Sequence, residues 1–292
     1  MKLIDHTKVL KHMKPRIVSN IFFRLLFMAA TIFGLLILGI LLYRVITQGI
    51  GYLDFQFLQN LPSRKPEQAG VKTALIGTIW LMGVVAPVTL LLSVGTAIYL
   101  EEYAQKSRFT RFIQVNISNL AGVPSIVFGL LGLTVFVRAL ALGTSVLAAG
   151  LTMSLLVLPI IIVASQEAIK AVPKELREAS YGMGATKWQT ILHVVLPAAI
   201  PGILTGGILA LSRAIGETAP LVVLGLPLFL AFLPKSVFDM FTVLPMQIYN
   251  WTGRPQEEFQ GVAAAGIIVL LTMLIIMNSI AVFIRNKFQK RY

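Results

Sequence analysis

The sequence has 292 residues, of which 57% are hydrophobic and 13% charged, and its formal net charge is +13. This composition leaves too little polar surface to cover a soluble globule of that size, so it favours a membrane protein with several spans. The positive charge does not indicate a nucleic-acid binder, because the basic residues fall between apolar segments and form no basic face interleaved with aromatic residues.

Six apolar segments are long enough to cross a hydrocarbon core of about 30 Å as helices of about 20 residues. We therefore predict an all-α protein with six transmembrane helices, at 25–43, 73–100, 113–137, 139–165, 201–224 and 261–284. Five of these segments contain no Asp, Glu, Lys, Arg or His, as a helix in lipid requires. The fifth segment is the exception, because it contains Arg213 and Glu217.

The distribution of basic residues predicts the orientation of the chain. The two terminal segments and the even-numbered loops carry 17 Lys and Arg residues, whereas the odd-numbered loops carry 7. Because cytoplasmic segments are enriched in Lys and Arg, we expect both termini to lie in the cytoplasm. The apolar run that begins at Leu25 is longer than that of a secretory signal, so we predict an uncleaved first span.

Two external segments are long. The first, 44–72, has the Pro, Gly and polar residues of an ordered loop. The second, 226–260, is too apolar for an ordinary loop and is interrupted by Pro227, Pro234 and Pro245. We predict short helices at the outer membrane interface there, with Tyr249 and Trp251 as interfacial aromatic residues.

A cytoplasmic segment between the fourth and fifth spans has the pattern of a helix, a glycine break and a second helix. We call residues 167–197 the coupling loop. The first helix begins near Pro173, and Thr186 can cap the second helix. We attribute the break between the two helices to Gly182 and Gly184, and we expect Pro197 and Pro201 to end or redirect the second helix. Such a short amphipathic unit is suited to docking in a groove of a partner protein.

The coupling loop resembles the EAA loop of ABC-importer permeases. The matching residues are Glu178, Ala179, Ser180, Gly184, Val194, Leu196 and Pro197, with Ser180 in place of Ala and Val194 in place of Ile. In that family the loop seats in a cleft of the ATPase subunit. The resemblance implies a core of five spans at 71–292, preceded by a tail, a first span and an external loop at 1–70.

Three further stretches, at 119–132, 212–221 and 244–259, look like those of the phosphate-specific ABC permeases. The resemblance implies a prokaryotic inner-membrane heterodimer with a second homologous permease. It also implies two copies of an ATP-binding subunit, an external phosphate-binding protein, and ATP and Mg²⁺ used by the ATPase subunits. No cofactor is expected on this chain, and its ligand is expected to be phosphate.

The charged residues of the fifth span predict a site for an anion. Arg213 and Glu217 are spaced i, i+4 and therefore share one helix face about midway across the membrane. A charge there costs about 2.5–3.5 kcal/mol and normally faces a partner or the protein interior. One alternative is a structural pair that neutralises itself, or an anchor to another helix. The functional hypothesis is that Arg213, Glu217 and Thr218 line the translocation path, where the arginine fork binds a tetrahedral oxyanion.

Other chemistries find little support in the sequence. There is no GxxxxGK[ST] phosphate loop, so the chain is expected to be a transport subunit without an ATPase site. The three histidines are scattered and cysteine is absent, which argues against a metal centre or a disulfide. Gly202 and Gly206 form a small-xxx-small pattern, which we expect to pack against the second permease. A permease for sulfate, molybdate or phosphonate, and a gradient-driven carrier or channel, remain alternatives.

Overall fold

The computed structural model describes residues 6–105 and 107–288, so Lys2, Lys106, Lys290 and Arg291 of the charge pattern lie outside the described residues. The described chain is helical apart from turns and one isolated antiparallel bridge. Its helices are α1 (His6–Gly49), α2 (Phe55–Gln59), α3 (Lys72–Ile98), α4 (Arg108–Leu120), α5 (Ser125–Gly132), α6 (Val146–Lys170), α7 (Lys174–Gly182), α8 (Lys187–Thr190), α9 (Leu196–Gly216), α10 (Ala219–Val223), α11 (Leu244–Thr252) and α12 (Glu258–Phe288).

Three π-helical segments extend or join these helices, at Tyr99–Tyr103, Leu133–Ala139 and Ile191–Val195. In the described part of the chain, five helical segments are long and apolar enough to cross a membrane, and a bent pair makes a sixth. The five are Arg16–Tyr52, Lys72–Tyr103, Val146–Lys170, Lys187–Gly216 and Glu258–Lys287. The predicted all-α architecture with several spans is therefore confirmed.

The first span packs against α12 but leaves most of its own surface exposed. None of its most apolar 18-residue window is buried. α1 approaches α12 at Gly49, where a Cβ atom would lie 2.7 Å from the backbone of Ala264, so only glycine allows this contact. In a membrane, the apolar surface of α1 is therefore left for lipid or another subunit to cover.

The central core is built from α3, α6 and α9. Leu81 and Val85 of α3, Val157 and Ile161 of α6, and Ala210 of α9 are among its buried residues. Small residues let α6 and α9 approach closely: a Cβ atom at Gly206 would lie 2.3 Å from the Cβ of Ala164. At Gly202 the corresponding distance to Ala168 is 2.7 Å. The expectation that this glycine pair packs against a second permease is thus wrong, because its partner is α6 of the same chain.

The third predicted span, 113–137, is not one straight helix. α4 and the segment Ser125–Ala139 meet at an angle of 104° across a break of four residues. Pro124 lies in that break, where it has no N–H to donate and disfavours a helical conformation in the residue before it. α4 itself is amphipathic and leaves Phe109 and Phe112 exposed. The fourth span also starts later than predicted, at Val146, after a turn with positive φ at Ala141 and Gly143.

The fifth span begins and ends earlier than predicted. Its helix runs without interruption from Lys187 to Gly216, so neither Pro197 nor Pro201 ends it. Pro197 lies in the first turn of α9 and has no backbone N–H to donate. The π-helical turn before it shifts the pattern of backbone hydrogen bonds, so the helix continues past the proline. Residues 217 and 218 are not helical, and the chain continues as the short α10.

The segment 226–260, predicted to be external, forms the short helix α11, and one face of that helix is buried. Pro245 occupies its first turn, where a proline favours helix initiation. Trp251 is 0% exposed, and its ring lies 5.8 Å from that of Phe57. Trp251 is therefore a core residue, contrary to its predicted place at the membrane interface, whereas Tyr249 is 56% exposed. The first external loop is ordered, as predicted, and Asp54 caps the helix that carries Phe57.

Candidate functional site

Arg213 and Glu217 lie where α9 ends in the middle of the bundle. Arg213 is in the last turn of α9, and Glu217 is the residue that terminates the helix. Their neighbour Ala214 belongs to the core cluster with Val85 and Val157, which lie near the middle of α3 and α6. Arg213 and Glu217 thus lie at the level of the middle of α3 and α6, but Glu217 follows the end of the helix and does not share a helix face with Arg213 as the i, i+4 spacing predicts.

The two side chains make a weak contact through one edge of the guanidinium. Arg213 Nε donates to Glu217 Oε1 at 3.3 Å. The Arg213 side chain is 58% exposed and that of Glu217 is 19% exposed. Within the described part of the chain, the two terminal nitrogens of Arg213 have no hydrogen-bond partner. The fork that recognises an oxyanion is therefore free.

The break after Gly216 shapes the electrostatics of this place. Carbonyl groups at the end of α9 carry the negative end of the helix dipole, which favours the nearby charge of Arg213. Glu217 has an extended backbone conformation, with φ −74° and ψ 119°. Thr218 then starts α10, and its carbonyl accepts hydrogen bonds from Leu221 and Val222. Thr218 therefore lies beside Glu217 in the same non-helical segment, as a residue that would complete the site.

A polar contact between α9 and α12 sets the rotation of α9. Ser212 donates a hydrogen bond to Asn278 Oδ1 of α12 at 2.5 Å. Because Ser212 and Arg213 are adjacent on the helix, a serine that faces α12 directs the arginine to a different side. Arg213 consequently lies on an outer face of the isolated chain. Among the described residues there is no group of three or more His, Asp or Glu side chains that could hold a metal ion.

The coupling loop consists of two helices joined by a tight turn. Gly184 has φ +84°, a conformation that favours glycine, which explains a glycine at this position of the motif. Thr186 and Gln189 form a capping box at the start of α8. Ser180 and Thr190 share a buried hydrogen bond of 2.9 Å between α7 and α8. The helix, break and helix predicted from the sequence are thus present, and polar side chains hold them together.

The motif residues of the loop fall into two groups. Glu178, Ala179 and Gly184 are exposed and free to meet a partner. By contrast, Ser180 is buried, and Leu196 and Pro197 are half-buried at the start of α9. The second group therefore shapes the loop from inside.

Sequence reasoning missed the apolar side chains at the tip of the loop. Met183 is 84% exposed, Trp188 54% and Tyr181 42%. Large apolar side chains that are exposed together on a polar segment are typical of a protein interface. A methionine between two glycines in a polar turn was the available signal. These residues make the tip of the coupling loop a candidate docking surface.

Residues 93–290 match the family model described as binding-protein-dependent transport system inner membrane component. A phosphate transport system permease protein PstA of Yersinia pestis is 33% identical over 270 residues, which cover 89% of this chain and 88% of the relative. PstA 1 of Mycobacterium tuberculosis (strain H37Rv) is 38% identical over 218 residues, covering 71% of this chain and 69% of the relative.

Two solved structures are similar in fold. The methionine ABC transporter MetNI, described as inward facing, has a chain with a TM-score of 0.61 at 17% identity. The match covers 74% of this chain and 95% of that one. A bacterial alginate ABC transporter, in complex with a pentasaccharide-bound periplasmic protein, gives 0.56 at 15% identity and covers 96% of both chains.

Proposed function

Because the chain belongs to the binding-protein-dependent transport system inner membrane components, the permeases of ABC importers, we propose that it moves inorganic phosphate into the cell as one permease subunit of an ATP-driven importer. Its similarity over most of its length to PstA proteins supports phosphate as the cargo. The complex spans a prokaryotic cytoplasmic membrane, with both termini of this chain in the cytoplasm.

The observation that carries this proposal is the free guanidinium fork of Arg213 at the break of α9. Its two terminal nitrogens match two oxygens of a tetrahedral oxyanion. Glu217 meets Arg213 through one nitrogen only, at 3.3 Å. The carboxylate therefore weakens the attraction between Arg213 and an anion but leaves the two terminal nitrogens unpaired, so that an anion can bind and leave.

Glu217 also gives a physical basis for choosing phosphate over sulfate. Phosphate near neutral pH retains at least one P–OH group, which can donate a hydrogen bond to a carboxylate. Sulfate has no proton to donate, so its charge would face that of Glu217. Selection would then arise from repulsion of the wrong anion as well as attraction of the right one.

The exposure of Arg213 supports a second permease subunit. A charge in the middle of a membrane bundle cannot face lipid without a cost of about 2.5–3.5 kcal/mol. In this chain the Arg213 side chain is 58% exposed at that level. A homologous permease that covers this face would enclose a polar path between the two subunits, with Arg213, Glu217 and Thr218 on one wall.

The exposed side of the coupling loop favours a separate ATPase subunit as the source of energy for transport. Glu178, Ala179 and Met183 project from its exposed side and would seat in the ATPase subunit. Two such subunits would bind ATP and Mg²⁺, whereas this chain binds no cofactor of its own. Phosphate would be delivered on the opposite side by an external phosphate-binding protein.

Uptake of labelled phosphate by vesicles that contain the whole complex tests the proposal. Arg213→Lys and Glu217→Gln should leave the complex assembled but reduce ATP-dependent uptake, and Glu217→Gln should let sulfate compete better. Arg138→Lys, at an exposed position at the end of another helix, is the matched control and should transport normally. Normal uptake by both site variants would refute the site.

The same vesicles separate the alternatives. If sulfate, molybdate or phosphonate is imported in preference to phosphate, the architecture is right and the cargo is wrong. Deletion of residues 176–186 should abolish co-purification of the ATPase. A gradient-driven carrier or channel would transport without ATP and would be unaffected by that deletion.

A further inference from the structure

Arg177 joins the coupling loop to two transmembrane helices. Its Nη1 donates to the carbonyl of Val172 at 2.8 Å, and its Nη2 donates to the carbonyl of Ile169 at 2.8 Å. Nη2 also forms an ion pair with Glu102 Oε1 at 3.2 Å. Ile169 belongs to the last turn of α6, and Glu102 lies in the π-helical end of the α3 span. One side chain of α7 therefore contacts the cytoplasmic ends of both spans.

This contact suits arginine specifically. The last carbonyls of a helix lack partners within the helix, and the helix dipole favours a cation beside them. A planar guanidinium can donate to two carbonyls and a carboxylate at once, which a lysine ammonium does with less geometric control. The side chains of Arg177 and Glu102 are only 18% and 10% exposed, so loss of either would leave a largely buried charge without its partner.

The second helix of the coupling loop contacts the same end of α3. Lys187 Nζ of α8 lies 4.9 Å from the ring centroid of Tyr103, within the range of a cation–π contact. Beneath the loop, Leu176 packs against a cluster that includes Ile169 and Val172. The Tyr99–Tyr103 turn is therefore held from both halves of the loop.

Neighbouring residues of α7 face different sides of the helix, since successive residues are about 100° apart. Glu178 is exposed on the side that would meet the ATPase, whereas Arg177 faces the bundle. α3 in turn packs against α9, where Leu90 lies beside Gly207, two turns before Arg213. A continuous set of contacts thus runs from the exposed tip of the loop to the helix that carries the candidate anion site.

We propose that the Arg177–Glu102 pair is the positioning link through which a displacement of the coupling loop moves α3. The inference rests on the proposed function, since it requires an ATPase that displaces the loop. Neither residue touches the cargo. The pair acts by making α7 and the π-helical end of α3 move as one body.

The test measures phosphate imported per ATP hydrolysed by the complete complex in vesicles. Glu102→Gln removes the ion pair but leaves the hydrogen bonds of Arg177 to the carbonyls of Ile169 and Val172. Arg177→Gln removes both sets of contacts. The matched control is Glu101→Gln, because Glu101 pairs with Gln166 and Lys170 of α6 and, among the described residues, has no hydrogen bond or ion pair to α7. Co-purification and the thermal unfolding of each complex are recorded beside the transport ratio.

We expect Glu102→Gln and Arg177→Gln to keep ATP hydrolysis and assembly while the ratio falls roughly 2- to 30-fold, the range typical of residues along a coupling route. Arg177→Lys should restore part of the ratio, and Glu101→Gln should match the wild type. An unchanged ratio in Glu102→Gln would overturn the proposal. So would an equal fall in Glu101→Gln, or loss of assembly in both variants of the pair, because these results would assign the pair to folding alone.

The wild-type complex separates this inference from the proposed function. If the wild type imports no phosphate with ATP, the cargo assignment fails, and the ratio is measured with the oxyanion that the complex does import. If the wild type imports phosphate and the variants keep its ratio, the proposed function stands and the link alone is refuted.

Discussion

Replacement of Gly206 by alanine tests the packing that places the candidate site. A Cβ atom at this position would lie 2.3 Å from the Cβ of Ala164, whereas ordinary contacts between carbon atoms begin at 3.4 Å. α6 and α9 would have to separate by about 1 Å, and such overpacking costs about 1–3 kcal/mol. The gain in helix propensity from glycine to alanine offsets about 0.5–1 kcal/mol of that. We therefore expect a net loss of about 1 kcal/mol, within a range of roughly 0–2.5 kcal/mol, in the free energy of unfolding.

A double-mutant cycle makes this prediction specific. In an Ala164→Gly background the clash disappears, so Gly206→Ala should become neutral or stabilising there. Gly95→Ala is the control, since a Cβ atom at Gly95 meets nothing within 4 Å. Unfolding of the purified subunit in mixed detergent gives the free energies. An equal cost of Gly206→Ala in both backgrounds would refute the α6–α9 contact. Weaker association with the second permease, at unchanged subunit stability, would place this glycine at an interface between subunits.

Trp251→Ala should lower the free energy of unfolding by about 3–5 kcal/mol, because Trp251 is fully buried; Tyr249→Ala, at an exposed position of the same helix, should cost far less in the same assay. Gly184→Ala should cost about 1–2 kcal/mol of loop strain and weaken ATPase co-purification, because its φ is +84°. Gly182→Ala should neither strain the loop nor weaken co-purification, because a Cβ atom at Gly182 would meet no other atom within 4 Å and its φ is not positive. Met183→Asp should abolish ATPase co-purification without changing subunit stability, since the side chain is 84% exposed; normal co-purification would remove Met183 from the docking surface.

Hydropathy predicted most of the spans because burial in lipid and burial in protein demand the same apolar composition. The segments at 73–100 and 261–284 fall inside the helical spans Lys72–Tyr103 and Glu258–Lys287. The coupling loop was also predictable, because caps and glycine breaks act locally. Gly184 adopts the positive φ for which glycine is preferred, and Thr186 forms the predicted cap.

Hydropathy does not encode the direction in which a helical segment runs or the surface against which a residue packs. The run from Ile113 to Val137 contains no charged residue, so it was predicted as one span, although Asn119 and Pro124 lie at or beside the 104° bend. Small residues at 202 and 206 fit a close helix contact equally well within a chain or between chains. Trp251 has the amphipathic ring of an interfacial residue, and only the tertiary packing against Phe57 determines that it is buried.

The structure bears on the choice between a structural pair and an anion site at Arg213. A pair whose role is to neutralise two charges is expected to be buried and to use the paired nitrogens of the arginine fork. Arg213 instead contacts Glu217 by Nε alone, at 3.3 Å, with 58% of its side chain exposed.

The end of α9 at Gly216 adds to this difference. A continuous helix would satisfy every carbonyl of this turn and fix Glu217 one turn above Arg213. The break leaves Glu217 on a non-helical segment, where backbone rotation can change its distance from Arg213. Discontinuous helices in the middle of a membrane are the places where transporters bind charged cargo. Under the proposed function, a carboxylate outside the helix would be able to approach or leave Arg213 and so tighten or release the anion in each cycle, which a fixed structural pair would not.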